Sequence, residues 1–139
     1  MATNFFYEVP VAINEAKYSS WIKRVVDSER MKIGEINFVF CNDDYLFAMN
    51  TKYLKHDTYT DILTFDYTDG DIISGDVCIS IDRVRENARI FEVDFENELQ
   101  RVMAHGVLHL VGYGDKTDSE IELMRGKEDE KMKLFHVEH

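Results

Sequence analysis

The chain has 139 residues and a formal charge of −11 at pH 7, from 27 acidic and 16 basic side chains. With 45% hydrophobic and 31% charged residues, it has the make-up of one globular domain spanning residues 1–139, which excludes a disordered chain. The acidity excludes nonspecific coating of nucleic acid, and no apolar run approaches the ~18 residues of a membrane span. The first ten residues, MATNFFYEVP, lack the basic lead and apolar stretch of a signal peptide, so a cytoplasmic location is expected. Cys41 and Cys78 each lie in an apolar, strand-like stretch and read as core thiols.

Residues 3–9, rich in aromatics and closed by Pro10, read as a first strand. Residues 14–31 carry Trp21, Ile22, Val25 and Val26 as one stripe and read as a helix. Gly34 resets the chain before a second strand in which Ile36, Phe38 and Phe40 alternate. Asn42 and Asp43 cap a short helix over residues 43–54. A polar connection from His56 to Thr60 leads to a third strand marked by Ile62, Leu63 and Phe65. Asp69-Gly70-Asp71 is a turn before a fourth strand, residues 72–81. Asp82 is the expected cap of a helix over 83–91, with Val84, Ala88 and Phe91 on its buried face. Asp94 is placed to cap the next helix, in which Phe95, Leu99, Val102, Met103 and Leu110 recur at helical spacing. Thr117 and Glu120 form a capping box for a last helix over about 118–134. The order predicts an α/β (α+β) domain: a small mixed four-stranded sheet packed with five helices, with a metal site at a helix–turn.

That site is His105-x-x-x-His109-x-x-Gly112-x-x-Asp115. Two histidines four apart on a helix share one face, one turn apart. Gly112 ends the helix and permits a sharp turn, so the returning chain brings the Asp115 carboxylate toward the two rings. Two imidazoles and a carboxylate make a three-ligand zinc set with a position left open. The same spacing also occurs at a protein surface, but Val102, Met103, Val107, Leu108 and Leu110 surround these rings. Histidine fits such a setting only when both ring nitrogens are satisfied. In HExxH proteases a glutamate general base follows the first histidine, and here that residue is Gly106. Peptide hydrolysis by that route is therefore disfavoured. His136 and His139 lie at the chain end and are expected in solvent.

The run HGVLHLVGYGD, His105 to Asp115, resembles the hallmark of the YbeY family of rRNA-maturation endoribonucleases. Met49-Asn50 with Tyr53 is similar to the family's LN…Y helix, and Thr60 to Phe65 to its TDVLSF strand. Gly75-Asp76, Asn87-Ala88 and the pattern Glu122, Met124, Glu128 extend the resemblance over residues 35–135. It implies a single-domain, metal-dependent enzyme that cuts single-stranded RNA. It also implies a role in maturing the 3′ end of 16S rRNA and in ribosome quality control, with an rRNA precursor and the small ribosomal subunit or an associated protein as partners. Two departures stand out. Asp115 replaces a third metal-binding histidine, and Gly114 the aspartate before it. Leu54 stands where members carry an arginine after the tyrosine.

On this basis His105, His109 and Asp115 are expected to hold one divalent ion, with zinc first among candidates and another metal not excluded. Asp118 is the alternative oxygen ligand. Lys55 or Lys116 is expected to offset phosphate charge, though either also reads as a solvated loop lysine. Asp61 and Asp76 are the candidate general bases, and either could instead cap, turn, or orient a ligand histidine. Tyr45, Tyr53, Phe65 and Tyr113 are candidate base-stacking aromatics, with core packing the alternative for Tyr53 and Phe65. Two other functions stay open: a metallohydrolase of another substrate such as a peptide, and a ribosome-associated assembly protein with a structural metal.

Overall fold

The computed structural model describes residues 2–54 and 60–136. Along the chain it forms β1 (Ala2–Tyr7), α1 (Glu15–Ser28), β2 (Lys32–Cys41), α2 (Asp43–Leu54), β3 (Ile62–Asp66), β4 (Ile72–Ser80), α3 (Ile81–Ile90), α4 (Phe95–Val111) and α5 (Asp118–Lys133), then a short 3-10 turn, Leu134–His136. The four strands make one mixed sheet in the order β1-β2-β4-β3. β1, β2 and β4 are parallel, and β3 runs antiparallel to β4 through the turn at Asp69 and Gly70. The expected mixed sheet with five helices is the one observed.

Alternation along the strands divides the sheet into two faces. Ile36, Phe38 and Phe40 of β2 and Ile73, Val77 and Ile79 of β4 form the main core with Trp21 and Val25 of α1 and Leu99, Met103 and Val107 of α4. On the other face α2 covers a smaller cluster of Cys41, Leu46, Leu63 and Cys78. Both thiols are buried and free, and desolvation pushes each up to about 12, so they are inert packing groups.

Four boundaries differ from the sequence reading, each for a local reason. The first helix stops at Ser28, because Arg30 turns left-handed (φ 60°) and Met31 N–H bonds back to the Val26 carbonyl. That closing turn is normally announced by glycine or asparagine, and neither is present. Gly34 lies inside β2 rather than before it, where a Cβ would overlap Ser74 of the neighbouring strand. Ser80, not Asp82, caps α3: its hydroxyl accepts from Arg83 N–H, while Asp82 accepts from Asp43 N–H. Phe91 is 55% exposed rather than buried, because α3 ends at Ile90 and the ring emerges beyond the packed face.

Candidate metal centre and cleft

α4 builds the site. Val102, Met103, Val107 and Leu110 anchor it in the core, which fixes the rotation of the helix. Gly106 lets it approach the sheet closely, since a Cβ there would lie 2.6 Å from Val77 Cγ1 and 2.9 Å from Ile62 Cδ1. The rings of His105 and His109 project from the partly exposed side with centroids 4.4 Å apart. Gly112 terminates the helix at φ 124°, and Tyr113 N–H bonds back to the Leu108 carbonyl. This reversal brings Asp115 over the rings. The Thr117–Glu120 capping box then starts α5, as the sequence predicts.

The hydrogen bonds settle the roles of the ring nitrogens. His109 Nδ1 lies 2.9 Å from the Tyr113 carbonyl, which only accepts, so Nδ1 carries the hydrogen. His105 Nδ1 lies 2.7 Å from Glu128 Oε2. Burial raises the Glu128 carboxyl, but His105 and Arg101 outweigh that effect and hold it below the usual carboxylate range. An ionised Glu128 accepts, so His105 donates from Nδ1. Both Nε2 atoms are then left as lone pairs that face each other at 2.9 Å, with Asp115 Oδ2 3.2 Å from each.

Three acceptor atoms at this spacing repel one another unless a positive charge joins them. A proton on His105 is one solution. Burial favours its neutral ring, but Glu128, Asp115 and Asp61 outweigh this and raise its pKa above 6.5. A divalent cation is the other. Bonds of about 2.0–2.1 Å in tetrahedral array put ligand atoms roughly 3.3 Å apart, close to the spacing observed. The donor set fits a zinc-sized ion, and His105, His109 and Asp115 are the group among the described residues that could hold one.

These three residues stand at one end of a cleft of about 520 Å³ between α4, α5, α3 and the start of β3. Thr60 and Asp61 line it, the position expected of a strand-start rim. Burial raises the Asp61 carboxyl above its usual value. Asp76 is not brought there. It sits on the α2 side of the sheet, accepting from Asn37 at 2.9 Å and from Tyr67 at 3.2 Å. Lys116 is exposed and does not line the cleft, Asp118 is the exposed first residue of α5, and Lys55 and His56 lie outside the described residues. His136 is exposed as expected, and His139 too is outside the described residues. None of the four candidate stacking aromatics lines the cleft. Tyr53 packs edge-on against Phe65, and the Tyr113 hydroxyl donates to Glu29.

Sequence reasoning gave no chemical role to Glu98, Arg101, Arg125 or Glu128, all of which line the cleft. Arg101 spans α4 and α5, bonding Glu128 at 2.9 Å and Asp129 at 2.7 Å. Only the helical pattern around Glu122, Met124 and Glu128 hinted at one of them. Phe91 was assigned to the core by its spacing.

Comparison with known proteins agrees with this architecture. The family described as Endoribonuclease YbeY matches residues 6–136. Endoribonuclease YbeY of Flavobacterium johnsoniae is 54% identical over 136 residues, 97% of this chain and 98% of that protein. The Flavobacterium psychrophilum protein of the same name is 56% identical over 135 residues, 96% of each chain. The solution structure of a Thermotoga maritima protein superposes with a TM-score of 0.68 at 25% identity, covering 97% of this chain and 89% of that one. A match this long, at this identity and through the histidine helix itself, makes the chain a member of the YbeY endoribonuclease family.

Proposed function

We propose that this protein is a metal-dependent endoribonuclease that cuts single-stranded RNA in the cytoplasm, in 16S rRNA 3′-end maturation. The observation that carries the reading is the convergence of His105 Nε2, His109 Nε2 and Asp115 Oδ2, all lone-pair donors, at the end of an open cleft. These residues would hold one ion, zinc by the donor set, which when bound supplies Lewis acidity to a phosphodiester oxygen and to the attacking water.

The chain's own groups do the rest. Glu128 and the Tyr113 carbonyl fix both imidazoles in the tautomer that leaves Nε2 free. Asp61, desolvated beside His105, accepts the proton from the attacking water. Arg125, 60% exposed at the cleft and paired only at 3.8 Å with Glu128, meets the phosphate, whereas Arg101 is held closely by two carboxylates. Lys55 or Lys116 would offset charge on the flanking RNA backbone. A single strand, whose unpaired bases can splay into a cleft of about 520 Å³, suits this site better than a duplex. Gly106 adds to the case against peptide hydrolysis: its crowded contact with Val77 leaves no room for a glutamate.

The test is metal analysis of the purified protein with an RNA cleavage assay, repeated for H109A and D115A. Both variants are expected to lose bound metal and to cut RNA at least 100-fold more slowly, the loss of about 2.7 kcal/mol of transition-state stabilisation. Full metal content and full cleavage in both would overturn the assignment.

A further inference from the structure

The cleft continues past the metal group. Going back along α4 from His105, the residues that line it are Val102, Arg101 and Glu98. Seven residues at 1.5 Å each put Glu98 about 10 Å from His105 along the axis, beyond reach of a phosphate held at the histidines. Across the cleft stand Asn87 and Phe91, one turn apart at the end of α3.

Glu98 is only 4% exposed, yet among the described residues its carboxyl joins no hydrogen bond and no ion pair. Glu128 in the same cleft is fully engaged by His105 and Arg101. The carboxyl oxygens are not sealed from solvent and open into the cleft, where they can accept from a ligand's N–H groups. Arg101 and Arg125 stand near Glu98 together with the carboxylates of Asp61 and Glu128, so the phosphate is drawn to the arginines, while the Glu98 carboxyl itself favours a neutral N–H donor over a phosphate. What remains of an RNA strand is a base. The exposed face of Phe91 offers it a stacking surface.

The edge of that base is chosen by chemistry. An ionised carboxylate accepts through two oxygens side by side. Guanine presents two parallel donors, N1–H and N2–H, to match them, as a guanidinium does. Adenine and cytosine offer one amino group with an acceptor beside it, and uracil one imide N–H between two carbonyls. The Asn87 amide can donate to guanine O6. We propose that Asn87, Phe91 and Glu98 form a guanine-reading subsite that selects the nucleotide next to the cut, an inference that rests on the RNA reading above.

Nucleosides test it without cleavage and without phosphate. Guanosine, adenosine, cytidine and uridine are titrated into the full-length protein and followed by amide NMR shifts. Guanosine is expected to bind at least tenfold more tightly than the other three and to shift signals around Glu98 and Phe91. E98Q is expected to erase that preference. F91A, altered at an exposed site that folding tolerates, should weaken all four nucleosides by a similar factor. Guanosine binding within twofold of the others, or a preference retained in E98Q, would overturn the proposal. Short single-stranded RNAs with each base beside the cut separate the two claims. If none is cut while guanosine keeps its preference, the nuclease reading fails and the subsite stands. If all four are cut equally and guanosine binds no better, the subsite fails and the nuclease reading stands.

Discussion

At the scale of single residues, the site depends on which nitrogen of each imidazole is occupied. Glu128 holds the His105 hydrogen on Nδ1 across 2.7 Å and is itself held by Arg101. A carboxylate behind a ligand histidine orients the ring and raises its basicity, an effect of about 10–100-fold in metal affinity. E128A is therefore expected to weaken metal binding by that factor while retaining His105, His109 and Asp115. E128Q, which keeps an acceptor oxygen, should fall between. Competition with a chelating dye measures both, and an unchanged affinity in E128A would show that this hydrogen bond orients nothing. His105, His109 and Asp115 were legible from spacing because helix periodicity and one glycine turn decide their proximity. Glu128 lies 23 residues from His105 on another helix, and no local rule connects them. Asp76 was a plausible base for the same lack of information: only the strand register, which sets it opposite Asn37, reveals that it faces away.

At the scale of elements, α4 carries the argument because it is both core helix and ligand bearer. Its packing distance is set by Gly106. G106A would gain about 1 kcal/mol of helix propensity, but its methyl would meet Val77, a β-branched side chain with little freedom to move. Overpacking of this kind costs roughly 1–3 kcal/mol. The variant is expected to be net destabilised by up to about 2 kcal/mol, read as a lower urea midpoint at unchanged slope. A G106A protein more stable than wild type would show that the sheet gives way. The C-terminal end of α4 and the capping box of α5 were readable because glycine, threonine and glutamate act locally there, whereas Asp94 sits at the start of α4 without a side-chain capping bond. The start of α3 was not, since Ser80 and Asp82 are equally good caps in isolation and the contact between Asp82 and α2 decides between them.

At the scale of the whole molecule, the fastening of α5 to α1 decides how the acidic chain tolerates acid. Lys131, 1% exposed, pairs with Glu29 at 2.6 Å and Glu130 at 2.7 Å, and its backbone carbonyl accepts from Trp21. Burial alone would raise the Glu29 carboxyl. Hydrogen bonds from Lys131, Tyr113 and Lys127 outweigh it and hold the carboxyl below 4.5. A carboxyl depressed in the folded state stabilises fully above its unfolded pKa and loses that contribution as pH falls through the folded value. Melting temperature is thus expected to drop as pH falls below about 4.5, and E29Q should be less stable at pH 7 with a shallower acid limb. An identical pH slope in E29Q would remove Glu29 from the acid response. Composition, periodicity and capping residues determined the elements, the mixed sheet and the histidine motif, because each depends on neighbours within a turn or a hairpin. The tertiary structure alone decided that Asp61 and not Asp76 enters the cleft, that Glu128 and Arg101 stand behind His105, and that Phe91 faces solvent opposite Glu98. Those placements depend on strand register and helix packing between residues far apart in the chain, where sequence spacing carries no distance.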